Sequence, residues 1–236
     1  MIRSSPISRL NVDTFGGVAS DENLGICNGE DTSWNDYPQM VSIRNSGDGH
    51  CCAATILDAE QGLLLTAAHC RACISNWGNG VVKIGCENPN TCTEGVAYST
   101  ALFTAMPKYG EGSSFNYDVG TIRLQYGGAA GAPILDPPNA MEVNLDNRTP
   151  ESGQPLVVVG YGRVAGQTTL PNQLQRGDVN VWSQANCAEA LPSSAVITPQ
   201  MVCARGVNQE NGYGITTCSG DSGLEYLYDI VSICCI

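Results

Sequence analysis

The sequence has no run of about 18 apolar residues, the length that a membrane-spanning helix requires, so such a helix is excluded. Basic residues are scarce: 11 Lys and Arg stand against 23 Asp and Glu, and the formal net charge is −12. Because this charge repels polyanions, we expect neither nucleic acid nor an anionic membrane surface as a partner. Internal repeats and low-complexity tracts are also lacking, and there are only two histidines. The 236 residues suffice for a substantial core, in one large domain or two small lobes.

Twelve cysteines are a high count for a chain of this length. A zinc protein would pair them in C-x-x-C knuckles supported by histidines, and only Cys70 and Cys73, with His50 elsewhere, approach that pattern. Disulfides formed in an oxidising compartment are the better interpretation, although residues 1–20 contain no continuous apolar core of a secretory signal. We give the cysteines more weight, and we expect a secreted protein with no metal and no organic cofactor.

Short apolar runs bounded by Gly, Pro, Asn and Ser recur along the chain, and their β-branched content favours strands. They lie at 40–44, 62–68, 81–85, 119–124, 155–162 and 179–182. One short helix is predicted at 184–191, where small and helix-favouring residues cluster.

The Pro-rich stretch 131–155 is typical of a connector between two lobes. Asn147 within it begins the only N-x-[ST] sequon, which is either a glycan acceptor or part of a polar linker. The sequence therefore predicts a mostly β chain of two lobes, built as barrels or sandwiches.

Three residues that stand far apart in the sequence can together form a catalytic site. His69 follows an apolar run in LLLTAAHC, Asp118 precedes one in SFNYDVGTIRL, and Ser222 lies in TTCSGDSG. Alone, each is commonly structural: a histidine beside a core strand, a turn aspartate, and an ordinary Gly-Asp-Ser-Gly turn. Together they offer a base, a carboxylate that orients it, and a hydroxyl nucleophile. The flanking glycines let backbone N–H groups face a developing oxyanion.

The chain resembles the chymotrypsin-like (trypsin-fold, S1-type) serine proteases, which present His, Asp and Ser in that order. The resemblance runs from Ile26 to Gly223. It includes ICNGEDTSWNDYPQMVSI, GHCCAATIL, MPKYGEGSSFNYDVGTIRL, VVVGYGRVAGQTTLPNQLQRGDVNVWSQANC, and ANCAEA followed by ITPQMVCARG. It implies an all-β fold of two six-stranded antiparallel barrels. Because the resemblance is lost abruptly at Leu224, we expect the second barrel to be incomplete and the family's C-terminal helix to be missing.

The resemblance also implies a division of the chain. Residues 1–25 are expected to be a pro-segment or an unreliable N-terminus, and residues 26–236 a trypsin-like peptidase domain. Within that domain we expect a first barrel at about 26–130, a connector at about 131–154 and a truncated second barrel at about 155–236.

Catalytic roles follow from the same resemblance. His69 would act as the general base and then as the general acid. Asp118 would orient His69 and stabilise its imidazolium, and Ser222 would attack the scissile carbonyl. The backbone N–H groups of Gly220 and Ser222 would form the oxyanion hole.

Activation is implied as well. Asp221 resembles the family's buried carboxylate that pairs with the free α-amine of the activated N-terminus, and Ile26 stands where that amine would arise. Because a buried unpaired carboxylate is costly, the oxyanion loop should order only after cleavage, which is the behaviour of a zymogen. Gly25 precedes Ile26 where family zymogens usually carry Arg or Lys, so a trypsin-like activator would not cut there.

The pocket and the C-terminal segment depart from the family pattern. Thr216 occupies the position at the base of the primary specificity pocket, where trypsin-like enzymes have Asp, so cleavage after Arg or Lys is disfavoured. Leu224 and Glu225 follow Gly223 where the family continues with Gly-Pro. DIVSICCI resembles the family's Ile-Val-Ser-Trp-Gly strand, in which Ser232 would correspond to a serine near the buried aspartate.

The resemblance implies two disulfides, Cys52–Cys70 and Cys187–Cys203. Among the other cysteines, Cys86 and Cys92 can close a local loop, Cys51 can pair with Cys73, and Cys218 can pair with Cys234 or Cys235.

The function that we expect is a secreted serine endopeptidase, working through an acyl-enzyme intermediate and made as a zymogen. Its expected partners are protein or peptide substrates, protease inhibitors and an activating protease, and we expect a monomer. The alternatives are a non-catalytic protease homologue that acts as a binding module, and an inactive truncated product. The intact set of His69, Asp118 and Ser222 favours the enzyme, while the departures after Gly223 keep both alternatives open.

Overall fold

The computed structural model describes residues 26, 28–125, 149–163, 169–191, 196–209, 212, 214–217, 221–223 and, by backbone alone, 232–234. Most of the expected connector, including Asn147, lies outside these residues, as do the expected pro-segment, Gly220, Leu224 and Glu225. Cys27, Cys218 and Cys235 lie outside them too.

Strands dominate the described part of the chain. They are β1 (Glu30–Asp31), β2 (Met40–Arg44), β3 (His50–Asp58), β4 (Leu63–Thr66), β5 (Val81–Ile84), β6 (Val96–Ala105), β7 (Gly120–Leu124), β8 (Pro155–Gly160), β9 (Gln175–Trp182), β10 (Met201–Val207), β11 (Gly214–Ile215) and β12 (Ser232–Cys234). Helical segments are short: two 3₁₀ helices at Trp34–Asp36 and Ala68–Cys73, and the α-helix α1 at Gln184–Ala190. None of these helices is long and apolar enough to cross a membrane.

The first lobe is a closed barrel of six antiparallel strands in the order β2-β3-β4-β7-β6-β5. Alternation along the strands explains its core. On β5 and β7 every second side chain is buried, and Val82, Ile84, Ile122 and Leu124 point inward. Burying each of these side chains contributes about 1.5–3 kcal/mol. The barrel is therefore held together by apolar packing as well as by a continuous ladder of hydrogen bonds.

The second lobe is an open sheet of six strands. β1, β9, β10 and β11 follow one another, β8 pairs with β9, and β12 pairs with β10. The closed barrel and this open sheet confirm the expected all-β chain of two lobes. One detail was wrong: β12 runs parallel to β10, whereas we expected only antiparallel pairs. A parallel pair needs a crossover of a dozen or more residues, and the long connection between Val207 and Ser232 provides it.

The helix α1 confirms the expected helix at 184–191 to within one residue. The Ser183 hydroxyl caps its N-terminus by accepting a hydrogen bond from the Asn186 N–H at 3.2 Å. A disulfide from the buried Cys187 to Cys203 of β10 attaches the helix to the open sheet.

Tyr161, which follows β8, joins the second lobe to the first. Its side chain is completely buried, and its hydroxyl donates a hydrogen bond to the Cys86 carbonyl at 2.8 Å. The ring of His50 packs edge-on against the Tyr161 ring, with 5.3 Å between centroids. Burial above all, and then the charges of Glu87 and Glu94, raise the pKa of the Tyr161 hydroxyl well above its ordinary value of 10.0. The neutral hydroxyl is therefore part of the contact between the lobes.

Replacing Tyr161 with phenylalanine tests this contact. Because the Cys86 carbonyl would lose its buried donor, the free energy of unfolding should fall by about 1–3 kcal/mol at pH 8, as measured by urea unfolding. The wild-type contribution is fully present below the unfolded tyrosine pKa of about 10, and it is lost at higher pH because only the unfolded state then releases the proton. The difference between wild type and Tyr161→Phe should therefore shrink at pH 11. A difference that is absent at pH 8, or that grows at pH 11, would refute this assignment.

Candidate active site

His69 lies in the 3₁₀ helix Ala68–Cys73, directly after β4. Ala68 and Cys70 on either side of it are buried, whereas the His69 side chain is 31% exposed. Two disulfides, Cys52–Cys70 and Cys51–Cys73, attach this helix to the beginning of β3. The two disulfides therefore fix the position of the helix, and the His69 side chain reaches the protein surface from it.

Asp118 binds His69 through both oxygens of its carboxylate. Its Oδ2 lies 2.6 Å from His69 Nδ1, and its Oδ1 accepts the His69 backbone N–H at 2.8 Å. The carboxylate is 6% exposed. In the neutral imidazole, an Nδ1–H that donates to this carboxylate leaves the lone pair on Nε2. The histidine is thus oriented in the tautomer that can act as a base at Nε2.

The backbone turns sharply just before Asp118. Tyr117 has a φ of +53°, in the left-handed region that residues with side chains rarely adopt, and its carbonyl accepts the Val119 N–H at 2.8 Å. Asn116, which is 6% exposed, holds this turn from both sides. Its amide donates to the Glu111 carbonyl at 2.6 Å, and its Oδ1 accepts the Thr198 hydroxyl of the second lobe at 2.7 Å. The loop that carries Asp118 is therefore anchored to both lobes.

The backbone of Ser222 lies against the same corner of the first lobe. Its carbonyl accepts the Ala53 N–H of β3 at 2.8 Å, and the Cys70 sulfur lies 3.5 Å from the same oxygen. Gly223, with a φ of +90°, makes this approach possible: a Cβ there would lie 2.1 Å from the Ala53 oxygen. Within the described part of the chain, no hydrogen bond joins Ser222 to His69.

Asp221 is buried, with 2% of its surface exposed. Its Oδ1 accepts the Gly162 N–H at 2.6 Å, and only a glycine fits there, since a Cβ at position 162 would lie 2.3 Å from the Asp221 Cγ. Ile26 is completely buried beside Gly177 of β9. In the uncleaved chain Ile26 is bonded to Gly25 and offers no α-amine.

Thr216, the residue predicted at the base of the specificity pocket, is half-buried directly after β11. Besides the Cys187–Cys203 disulfide and the two at the His69 helix, a fourth joins Cys86 to Cys92.

Sulfur and imidazole groups come close enough together at two points to suggest a metal site. One group is Cys51, Cys52 and Cys73, and the other is Cys52, His69 and Cys70. All four cysteines are in disulfides, so their sulfurs are not the thiolates that bind zinc.

Two functional candidates were missed from the sequence. Asn116 is one, because its contact with Thr198 joins residues 82 apart in sequence. Phe115 is the other: it is 54% exposed, and its ring lies edge-on to the His69 ring with 5.7 Å between centroids. The sequence offers one signal for Phe115, which is an aromatic residue three positions before Asp118.

Comparisons with known proteins agree with this geometry. Residues 26–223 match the family described as trypsin. The chain is 28% identical over 217 residues to a trypsin of Sarcophaga bullata, covering 91% of this chain and 78% of that protein. It is 26% identical over 200 residues to trypsin delta of Drosophila melanogaster, covering 84% of this chain and 72% of that protein. Among solved structures it is similar to neuropsin, a serine protease expressed in the limbic system of mouse brain, with a TM-score of 0.66, 26% identity, and coverage of 85% of this chain and 82% of that one. The chain therefore belongs to the trypsin family of serine proteases.

Proposed function

We propose that this chain is a serine endopeptidase, made as a zymogen, which hydrolyses peptide bonds through His69, Asp118 and Ser222. The observation that carries the proposal is the pair of hydrogen bonds from His69 to Asp118, at 2.6 and 2.8 Å. These bonds hold the imidazole in one tautomer with Nε2 free. Membership of the trypsin family supports the same role.

Peptide hydrolysis would proceed in two stages. The Ser222 hydroxyl attacks the scissile carbonyl while His69 Nε2 takes its proton, and the Asp118 carboxylate stabilises the imidazolium that forms. The N–H groups of Gly220 and Ser222 would stabilise the oxyanion. His69 then returns the proton to the leaving amine, and water hydrolyses the acyl-enzyme by the same route.

Activation would follow cleavage between Gly25 and Ile26. The new α-amine of Ile26 would pair with the Asp221 carboxylate, and both residues are already buried. A rearrangement of residues 221–223 that follows this pairing would bring the Ser222 hydroxyl within hydrogen-bonding distance of His69. Because Gly25 is neither Arg nor Lys, the activating protease would not be trypsin-like.

Specificity would follow from the uncharged Thr216. A threonine cannot supply the carboxylate that meets a basic side chain, so substrates with an apolar or small side chain before the cleaved bond are preferred. Secretion would fit the four disulfides among the described residues.

Phe115 would contact the substrate, because an exposed aromatic ring beside the catalytic base offers apolar area to a bound peptide. Phe115→Ala should therefore raise KM for peptide substrates about three- to tenfold, while kcat changes less than twofold. Met106→Ala is the matched control, since Met106 is also exposed (41%). Steady-state kinetics on both variants make the comparison. Equal KM values for wild type and Phe115→Ala would exclude the contact.

A pre-steady-state burst tests the proposed function. The chain cleaved before Ile26 is mixed with a nitrophenyl ester of an apolar amino acid. An acyl-enzyme mechanism predicts a burst of about one leaving group per chain, followed by slower turnover. The competing hypothesis is a non-catalytic homologue that acts as a binding module. That hypothesis predicts no burst from folded, cleaved protein.

A further inference from the structure

Two disulfides lie side by side where the His69 helix meets β3. The inner bond, Cys52–Cys70, is buried, with 3% and 1% of its two cysteines exposed. The outer bond, Cys51–Cys73, joins two partly exposed residues. A reductant in solution would therefore reach the outer bond first.

The sulfurs of the two bonds are close to one another. The Sγ atoms of Cys51, Cys52 and Cys73 all lie within 4.8 Å of each other. A thiol released at Cys73 would therefore lie within 4.8 Å of the Cys52 sulfur of the inner bond. Thiol–disulfide exchange requires that a thiolate attack a neighbouring disulfide sulfur, and this arrangement supplies the neighbour.

The far end of the inner bond lies beside the catalytic histidine. Cys70 Sγ is 3.9 Å from His69 Nε2 and 3.5 Å from the Ser222 carbonyl oxygen. Any thiol freed at Cys70 would thus appear next to the nitrogen that serves as the base.

We propose that these four cysteines form a thiol–disulfide exchange site, which accepts electrons from an external dithiol at Cys51–Cys73 and releases a thiol at Cys70. In the first step the dithiol reduces the outer bond: it is oxidised to its own disulfide, and Cys51 and Cys73 become thiols. In the second step the Cys73 thiolate attacks Cys52 Sγ, a Cys52–Cys73 bond forms, the Cys52–Cys70 bond breaks, and Cys70 leaves as the thiolate. The second step transfers no net electrons, and the proton given up by Cys73 is available to the Cys70–His69 pair.

Cys73 is the attacking residue because Cys51 is adjacent to Cys52 in sequence. Neighbouring Cα atoms are 3.8 Å apart, which is below the usual range of about 4.4–6.8 Å for a disulfide. A Cys51–Cys52 bond would therefore be strained, whereas Cys73 approaches from another element.

The exchange would switch off the proposed endopeptidase. A Cys70 thiolate beside His69 would form a thiolate–imidazolium pair, and a protonated His69 cannot take the Ser222 proton. This consequence rests on the proposed function, but the exchange itself does not.

Mapping the cysteines tests the exchange without any measurement of hydrolysis. The folded full-length protein is treated with limiting dithiothreitol, quenched with acid, unfolded in guanidinium chloride and alkylated with N-ethylmaleimide at mildly acidic pH, and its peptides are identified by mass spectrometry. We expect alkylated Cys51 and Cys70 together with a Cys52–Cys73 linkage. Alkylated Cys51 and Cys73 with an intact Cys52–Cys70 bond would overturn the proposal.

Two single-residue variants test which cysteine attacks Cys52, and each serves as the control for the other. In Cys51→Ser the Cys73 thiol is unpaired from the outset, so Cys70 should be alkylated without any reductant. In Cys73→Ser only Cys51 is unpaired, and Cys70 should be protected at least about tenfold better. Equal alkylation of Cys70 in the two variants would refute the assigned attacker. If neither variant folds, the map of the wild-type protein decides alone. Because no arm uses catalysis, failure of the proposed function would leave these results unchanged.

Discussion

Ser222→Ala in the chain cleaved before Ile26 is expected to lower kcat for peptide hydrolysis by about 10⁶-fold. In the proposed mechanism this variant removes the oxygen that forms the acyl-enzyme, and neither His69 nor Asp118 would replace it. The free energy of unfolding should stay within about 0.5 kcal/mol of wild type, since only a small side chain that is not fully buried is lost. Single-turnover and steady-state assays on an amide substrate measure the effect.

Ser75→Ala is the matched control, because Ser75 is exposed and lies just beyond the His69 helix. It should keep wild-type kcat and KM. Retention of more than about 1% of wild-type kcat by Ser222→Ala would show that another residue is the nucleophile.

Asp118→Asn is expected to lower kcat by about 10⁴-fold, the loss typical of this substitution in a Ser-His-Asp triad. An asparagine that donates its NH₂ to His69 Nδ1 would leave the proton on Nε2, so the imidazole would face Ser222 in the wrong tautomer. The amide oxygen can still accept the His69 backbone N–H, which now bonds to Oδ1 at 2.8 Å, so the loop should keep its conformation. Kinetics and near-ultraviolet circular dichroism together separate lost chemistry from lost structure.

Asp178→Asn supplies the comparison for Asp118→Asn. Asp178 is an exposed carboxylate that pairs with Arg176 in the second lobe, so its neutralisation changes net charge equally but leaves His69 untouched. Unchanged activity is expected in this variant. Less than a tenfold loss in Asp118→Asn would mean that the short His69–Asp118 bond does not set the tautomer during the reaction.

The predicted apolar runs coincide with several of the strands. β2 coincides with the apolar run at 40–44, and β5 and β7 lie within one residue of theirs, because these three strands bury at least every second residue. The long strand β6 was not among the predicted runs. Among its ten residues only Thr100 and Phe103 are buried, so its apolar pattern is too weak to recognise. Its place in the barrel comes from pairing with β5 and β7.

The candidate site could likewise be predicted only in part from the sequence. His69 and Asp118 could be singled out because each lies next to a recognisable strand, and they meet where β4 and β7 pair. The contact of Asn116 with Thr198 could not be anticipated, because it depends on how the two lobes pack. The direction of β12 was wrong for a related reason: strand direction depends on the path of the connection, which side-chain pattern does not encode.

Labelling by a fluorophosphonate probe tests the central claim most directly. The probe reacts only with a serine that a neighbouring base has activated, and the labelled peptide identifies the residue. We predict stoichiometric labelling of Ser222 in folded protein cleaved before Ile26, and none in Ser222→Ala. Folded and correctly cleaved protein that takes up no probe, or that takes it up at another serine, would contradict the assignment of this chain as a serine endopeptidase.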